Sequence, residues 1–244
     1  MAKDTESALP HPRENPWLVG HVAAQERFAS EFAREQVHHA YLMTGPKGIG
    51  KATLAYRFAR HVLSQGAQAA KVEEAPSFSL FGEEPAAAPA PANTPSNALE
   101  MGEEHPLFRR IAAGSHTDLL TLSPAYDSKK QVEKTTITVD DARKVPDFLS
   151  LTPAEGLWRV VIVDAVDQLN DNAANALLKI LEEPPARAML FLICHQPGGA
   201  LATIRSRCRT LALEAPSARE FTEILSRLAP TIAPHEATAL YGLS

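Results

Sequence analysis

Short apolar runs alternate with amphipathic segments along most of the chain. Runs rich in aliphatic residues predict buried strands, and they lie at 40–45, 118–124, 158–165, 188–195 and 209–214. Helical spacing of apolar residues predicts helices over 22–37, 51–63 and 170–185, with further helices after Thr138 and Ser217. Because strands and helices alternate from 40 to 214, we predict an α/β fold with a parallel sheet covered on both faces.

Two of the helix starts carry a capping pattern. Thr138 precedes Asp141 by three positions, and Ser217 precedes Glu220 by three. At such starts the hydroxyl can accept a hydrogen bond from a free backbone N–H of the first turn. Pro146 lies inside the first of these helices, and its missing N–H predicts a kink or an end there.

The segment 65–107 differs in composition from the sequence on either side. Most of it, from GEEPAAAPAP to GEEHP, is rich in Pro, Ala and Glu and nearly free of β-branched residues. Such a stretch buries too little apolar surface to offset the entropy lost when it becomes ordered. We therefore predict a flexible insertion within a domain that spans 1–214.

Residues 45–53, GPKGIGKAT, have the spacing of a phosphate-binding loop. Gly45, Gly48 and Gly50 permit backbone conformations that turn N–H groups toward a phosphate. Lys51 would add positive charge at the start of a helix whose dipole also favours an anion. Because a strand precedes this loop and a helix follows it, we expect a nucleotide-binding ancestry rather than a chance glycine turn.

Two positions argue against ATP hydrolysis. Ala52 stands where Ser or Thr normally binds Mg²⁺, and Thr53 is rotated by about 100° around the helix, so it cannot substitute without a register shift. Asp164, after VVIV, fits the metal-binding aspartate of P-loop ATPases, although a strand-end aspartate also commonly caps a loop. Ala165 stands where many such enzymes carry a catalytic glutamate, and loss of a general base costs about 10²–10⁴ in rate.

Three arginines, Arg205, Arg207 and Arg209, alternate with smaller residues in IRSRCRTL (204–211). The pattern fits either a charged turn before an edge strand or an arginine finger for a phosphate on another subunit. Spacing alone favours the charged turn, because surface arginines commonly form weak ion pairs.

Composition narrows the class of function. A net charge of −5 argues against a chain that grips a nucleic-acid backbone by itself. No apolar run is long enough to span a bilayer, and the N-terminal MAKDTESALPHPREN lacks an apolar signal region, so we expect neither membrane attachment nor secretion. Two cysteines, Cys194 and Cys208, are too few for a four-thiolate zinc site and fit a reducing cytoplasm.

Three stretches together resemble the delta-prime subunits of bacterial DNA polymerase III clamp loaders, within the AAA+ superfamily. They are HHAYLMTGPKGIGKATLAYRFARHVL, SLTPAEGLWRVVIVDAVDQLNDNAANALLKILEEPP and ATIRSRCRTLAL. The most specific parts are NALLKILEEPP and the tripeptide SRC, which ends at Cys208. The resemblance runs from about residue 11 to 228 apart from the insertion.

The resemblance implies an AAA+ P-loop domain in a five-subunit assembly with gamma/tau and delta subunits. That assembly opens a sliding clamp and closes it on primed DNA. Delta-prime subunits generally do not hydrolyse ATP and act as a stator, with the SRC arginine pointing into the ATP site of a neighbouring subunit. Carried over, that arginine is Arg207, acting in trans, and this favours the finger over the charged turn.

The chain departs from the pattern of these subunits in three respects. The insertion 65–107 contains no cysteine, so we predict no zinc. The loop keeps Gly45, Gly50 and Lys51, which many relatives have lost, so residual ATP or ADP binding stays open although no cofactor is required. We expect 215–244 to be the start of a helical lid, with the collar domain absent, as in a fragment.

Two enzyme classes compete with the stator hypothesis. An active gamma-like AAA+ ATPase would need the side-chain oxygens that Ala52 and Ala165 lack. A P-loop kinase would need a substrate pocket and phosphate-clamping arginines, and it gives no role to the EEPP and SRC motifs.

Overall fold

The computed structural model describes residues 10–73, 99–124, 126–127, 132–133, 136–196, 198–229 and 241. Its strands are β1 (Ala40–Thr44), β2 (Leu119–Leu122), β3 (Tyr126–Asp127), β4 (Val132–Glu133), β5 (Arg159–Asp164), β6 (Ala188–Cys194) and β7 (Arg209–Ala212). Its helices are α1 (Val22–Ala33), α2 (Lys51–Glu73), α3 (Pro106–Ala112), α4 (Val139–Ser150), α5 (Asp171–Glu182), α6 (Ala202–Arg205) and α7 (Ala218–Leu228).

A five-stranded sheet in the order β2-β5-β6-β1-β7 forms the centre of the molecule. Every pairing in this sheet is parallel, which confirms the predicted α/β fold class. All five strands therefore end at one edge of the sheet, the carboxyl edge, and begin at the opposite edge, the amino edge. Thr44 lies opposite Cys194, and Asp164 lies opposite Ile193, so the segments that follow these residues meet at the carboxyl edge.

Both faces of the sheet are buried, because side chains of successive strand residues point to opposite faces. On one face α1 and α2 pack through aromatic rings, and Phe28 stacks on Phe58 with 4.0 Å between centroids. On the other face α4 and α5 contribute aliphatic side chains such as Leu149 and Leu177. Burial of one such side chain stabilises the fold by roughly 1.5–3 kcal/mol, so the continuous apolar strands are the main determinant of the sheet.

Both predicted capping patterns are confirmed. The side chain of Thr138 accepts a hydrogen bond from the backbone N–H of Asp141 at the start of α4. Ser217 and Glu220 form a reciprocal capping box at the start of α7. Pro146 does not end the helix, since α4 continues through this proline to Ser150. The packing of α4 on the sheet outweighs the hydrogen bond that the proline cannot donate.

The ends of two other helices differ from the prediction. Helix α1 stops at Ala33, earlier than predicted, and Glu35 just beyond it has a left-handed backbone with φ 56°. Helix α2 extends to Glu73, well into the segment predicted as an insertion. Residues 74–98, the central part of the predicted insertion 65–107, lie outside the described residues.

The last part of the segment 65–107 packs onto α2. Leu99 is buried, and the carboxylate of Glu100 pairs with the buried guanidinium of Arg57, with 3.0 Å between Nη2 and Oε1. Helix α3, which the sequence analysis did not predict, starts at Pro106 and buries Phe108. The buried guanidinium of Arg57 requires an acidic or carbonyl partner. Its pairing with Glu100 was not predictable, because such a pair leaves no periodic pattern in the sequence.

Within the described ranges, no helix combines the length and apolar character needed to cross a membrane.

Candidate functional site

The predicted phosphate loop joins β1 to α2 at the carboxyl edge. Gly45, Gly48 and Gly50 have φ values of 148°, 87° and 93°, in the region that favours glycine. Gly45 is also sterically fixed, because a Cβ added there would lie 2.3 Å from the carbonyl oxygen of Leu213. The segment after β7 thus supports the loop, and the backbone N–H of Leu213 donates to Thr44 O at 2.8 Å.

The ammonium of Lys51 is bound by the carbonyl groups of its own loop. Lys51 is only 3% exposed, and its Nζ donates to Gly45 O at 2.7 Å and to Pro46 O. Burial lowers the pKa of Lys51, and the negative charge of Asp164 opposes this shift. The two carbonyl groups thus engage two of the three N–H donors of the ammonium.

The N-terminal segment packs against the same loop. The imidazole of His21 donates from Nε2 to Ile49 O at 2.7 Å. A Cβ added at Gly50 would lie 3.0 Å from Cδ1 of Leu18. This contact was not predictable from the sequence, because His21 lies 28 residues before Ile49 and outside the loop motif.

The structure assigns different environments to the two residues that follow Lys51. Ala52 is partly buried and packs against the core between α2 and the sheet. Thr53 is 8% exposed and lies one residue further around the helix. Ala165, which stands where many P-loop ATPases carry a catalytic glutamate, is 1% exposed. Neither Ala52 nor Ala165 offers a side-chain oxygen to a metal ion or an attacking water.

Asp164 ends β5 and lies near the phosphate loop. Its Oδ1 is 3.6 Å from Nε2 of His195, the residue that follows β6. Burial raises the pKa of Asp164, and the charges of His195 and Lys51 oppose the rise. Burial also lowers the pKa of His195, with Lys51 adding to the effect. His195 is therefore neutral near pH 7, and its contact with Asp164 is a weak polar one.

A further acidic residue, Asp167, binds the backbone that follows β6. Oδ2 of Asp167 accepts hydrogen bonds from the backbone N–H groups of His195 and Gln196, at 3.2 and 3.1 Å. This contact ties the end of β6 to the turn after β5. Among the residues that the structure describes, no cluster of three or more His, Cys, Asp or Glu side chains could hold a metal ion.

Arg207 lies at the surface between α6 and β7. Its side chain is 34% exposed, and Nη2 lies 2.7 Å from Oε1 of Glu182 at the end of α5. Nη1 donates to Thr203 O at 2.9 Å and to Ser206 Oγ at 3.1 Å. Arg209 instead pairs with Glu31 at 3.0 Å and joins β7 to α1.

Arg207 and the phosphate loop lie at opposite edges of the sheet. Arg209 is paired with Tyr41 near the start of β1, so Arg207 lies beyond the amino edge. Lys51 follows the loop at the carboxyl edge. A strand rises about 3.3 Å per residue, so β1 alone separates the two edges by roughly 13 Å. The structure therefore brings together the predicted loop residues and Asp164, whereas Arg207 lies away from them.

The chain is similar to known proteins both in sequence and in structure. The family profile described as DNA polymerase III, delta subunit, matches residues 20–81 and 94–217. The chain is 37% identical over 197 residues to DNA polymerase III subunit delta′ of Pseudomonas aeruginosa, an alignment that covers 81% of this chain and 49% of that protein. It is 32% identical over 212 residues to the delta′ subunit of Escherichia coli K12, covering 87% and 52%. The chain thus spans about half the length of these curated relatives.

A different subunit and two solved structures are also similar. DNA polymerase III subunit tau of Salmonella typhimurium is 28% identical over 228 residues, which cover 93% of this chain and 30% of that protein. A DNA polymerase III gamma subunit-related protein from Thermotoga maritima superposes with a TM-score of 0.51 at 20% identity, covering 91% of this chain and 58% of that one. A RuvB variant from the same organism gives 0.50 at 16% identity, covering 93% and 59%. At these identities the structures support the fold alone, a parallel sheet flanked by helices.

Proposed function

The chain belongs to the DNA polymerase III delta-subunit family, and on that premise we propose that it acts in the clamp loader as a non-hydrolysing stator that lends Arg207 to a neighbouring ATP site. Its partners would be gamma/tau and delta subunits, with the sliding clamp and primed DNA engaged through the complex in the cytoplasm. No cofactor of its own is required for this role.

The observation that carries the proposal is the position of Arg207. Its side chain is 34% exposed at the amino edge, away from the phosphate loop of its own chain. An arginine so situated can meet a phosphate on another subunit more readily than one on its own. Guanidinium suits this task because it stays charged and presents a planar fork of donors to phosphate oxygens.

The phosphate loop supports the non-hydrolysing part of the proposal. Ala52 and Ala165 remove the hydroxyl and the carboxylate that hydrolysis would use. Gly45 O and Pro46 O engage two of the three N–H donors of the Lys51 ammonium. These contacts would compete with a phosphate for the lysine, so residual ATP or ADP binding would be weakened.

Phosphate release by the purified chain tests the absence of hydrolysis. We expect no Mg²⁺-dependent turnover above the buffer rate, and Lys51→Ala should change nothing. A turnover that Lys51→Ala abolishes would contradict the proposal. Equilibrium titration with a non-hydrolysable ATP analogue, on the same preparation, measures residual binding separately.

One alternative has specific support. The complete set of Gly45, Gly50 and Lys51, together with the similarity to a tau subunit over 93% of the chain, favours an active gamma-like ATPase. That function would need a metal ligand other than residue 52 and a base other than residue 165. Lys51-dependent turnover in the phosphate-release assay would support this alternative.

A further inference from the structure

We infer that Glu182 is a release latch for Arg207: its carboxylate holds the guanidinium before a neighbouring subunit docks, and a phosphate oxygen then replaces it. The inference rests on the proposed function of Arg207. It also gives a role to the first acidic residue of the EEPP motif, Glu182-Glu183-Pro184-Pro185, to which the proposed function assigns none.

The two residues meet because of the topology. Helix α5 precedes β6 and therefore ends at the amino edge, where Leu181 O accepts a hydrogen bond from Nε2 of His39 at 3.1 Å. Glu182 is the last residue of α5. The segment that carries Arg207 also lies at the amino edge, just before β7. Two motifs that are distant in sequence thus meet at the surface that the proposal assigns to the neighbouring subunit.

The contacts of the guanidinium are of two kinds. Nη1 donates to two neutral oxygens of its own turn, Thr203 O and Ser206 Oγ. Nη2 contacts an anionic oxygen, Oε1 of Glu182, at 2.7 Å. A phosphate oxygen is also anionic and accepts the same type of hydrogen bond. It can therefore take the place of the carboxylate while the bonds from Nη1 keep the guanidinium in position.

The exposure of the pair makes this exchange easy. Side chains of Arg207 and Glu182 are 34% and 50% exposed, and ion pairs that are open to solvent are weak. The carboxylate is thus strong enough to restrain a flexible arginine but too weak to retain it against a phosphate at a closed interface. Breaking the ion pair between Arg207 and Glu182 still costs a small free energy. This cost reduces the net stabilisation that Arg207 gives to the transition state.

The test measures ATP turnover, as kcat/KM, in a reconstituted clamp-loader complex. Glu182→Gln keeps the size of the side chain and removes its charge. Glu183→Gln is the matched control, because Glu183 is the adjacent, exposed glutamate. We expect Glu182→Gln to raise kcat/KM by about 1.5- to 5-fold, the factor that corresponds to an exposed ion pair. Glu183→Gln should leave it unchanged.

The same comparison in an Arg207→Ala background separates this inference from the proposed function. There, Glu182→Gln should have no effect, because no guanidinium remains to be released. The latch is overturned if Glu182→Gln lowers kcat/KM in the presence of Arg207, or if it behaves as Glu183→Gln does. If Arg207→Ala itself leaves turnover unchanged, the proposed function fails, and the latch fails with it.

Discussion

At the scale of single residues, the phosphate loop keeps its shape while the groups for chemistry are missing or engaged. The positive φ values of Gly45, Gly48 and Gly50 persist, yet Lys51 is bound by loop carbonyls. The conformation of the loop also has a packing role, because the backbone at Gly45 lies directly against Leu213. A glycine in this loop can therefore be required for the packing of β7 on β1 even when no nucleotide binds.

Replacement of Gly45 by alanine tests this structural role. The added Cβ would lie 2.3 Å from Leu213 O, whereas a Cβ at Gly48 would meet nothing within 4 Å. Gly48→Ala should cost about 1 kcal/mol of unfolding free energy from its left-handed backbone alone. Gly45→Ala adds a backbone clash and should cost roughly 2–4 kcal/mol. Urea unfolding of both variants measures the difference, and equal losses would show that Leu213 does not constrain the loop.

At the scale of elements, α5 connects the core with the surface that carries Arg207. Its apolar face, with Leu177 and Leu181, packs on the sheet, and its last residue is Glu182. Asn170 caps its first turn by accepting from the N–H of Ala173 at 2.8 Å. The cap fixes where the helix begins, and Pro184 and Pro185, which lack a backbone N–H, lie just beyond its end.

The cap of α5 gives a prediction with a built-in control. Asn170→Ala should lower the unfolding free energy by about 1 kcal/mol, because the N–H of Ala173 loses its partner. Asn175→Ala makes the same change at an exposed position inside the helix. It should be neutral or stabilise by up to roughly 0.7 kcal/mol, since alanine has the higher helix propensity. Thermal unfolding of the two variants compares them, and a shared sign would refute the cap.

Strands and helix starts were predictable from the sequence, whereas several contacts were not. Continuous apolar runs identified every strand of the main sheet, and capping patterns identified the starts of α4 and α7. The loop residues and Asp164 were found because their motif is local in sequence. The contacts of His21 with Ile49 and of Glu182 with Arg207 join distant segments. They depend on side-chain positions after folding, so neither periodicity nor spacing indicated them.

At the scale of the whole molecule, several histidines are held in their neutral form. Burial lowers the pKa values of His39, His116 and His195 below the ordinary value of 6.5. As the pH falls through 6.5, the unfolded chain takes up protons that the folded chain resists. The unfolded state then binds more protons, so the stability of the fold decreases as the pH falls.

We therefore expect the urea midpoint to decrease between pH 7.5 and pH 5.5. His116→Asn should reduce this decrease, because asparagine does not titrate between these pH values. Its amide oxygen can accept the hydrogen bond from the N–H of Asp118 that His116 Nδ1 now accepts at 3.1 Å. An unchanged midpoint across this range, or one that rises on acidification, would contradict the assignment of neutral buried histidines.

The two edges of the sheet have different roles in the proposed function. The carboxyl edge carries a phosphate loop whose lysine is engaged by its own backbone. The amino edge carries Arg207 and the latch residue Glu182 at the surface. In the proposed function, only the amino edge takes part in ATP turnover, and the turnover belongs to a neighbouring subunit.

The finger role of Arg207 is tested most directly by comparing two surface arginines in a reconstituted complex. Arg207→Ala removes the proposed finger, and Arg205→Ala removes the same charge two positions away at the end of α6. Assembly of both variants is checked by size-exclusion chromatography before ATP turnover is measured. We expect Arg207→Ala to lower turnover at the neighbouring site by about 10³-fold or more, while Arg205→Ala leaves it near the wild-type rate. Wild-type turnover in an assembled Arg207→Ala complex would show that Arg207 does not act on a neighbouring ATP site.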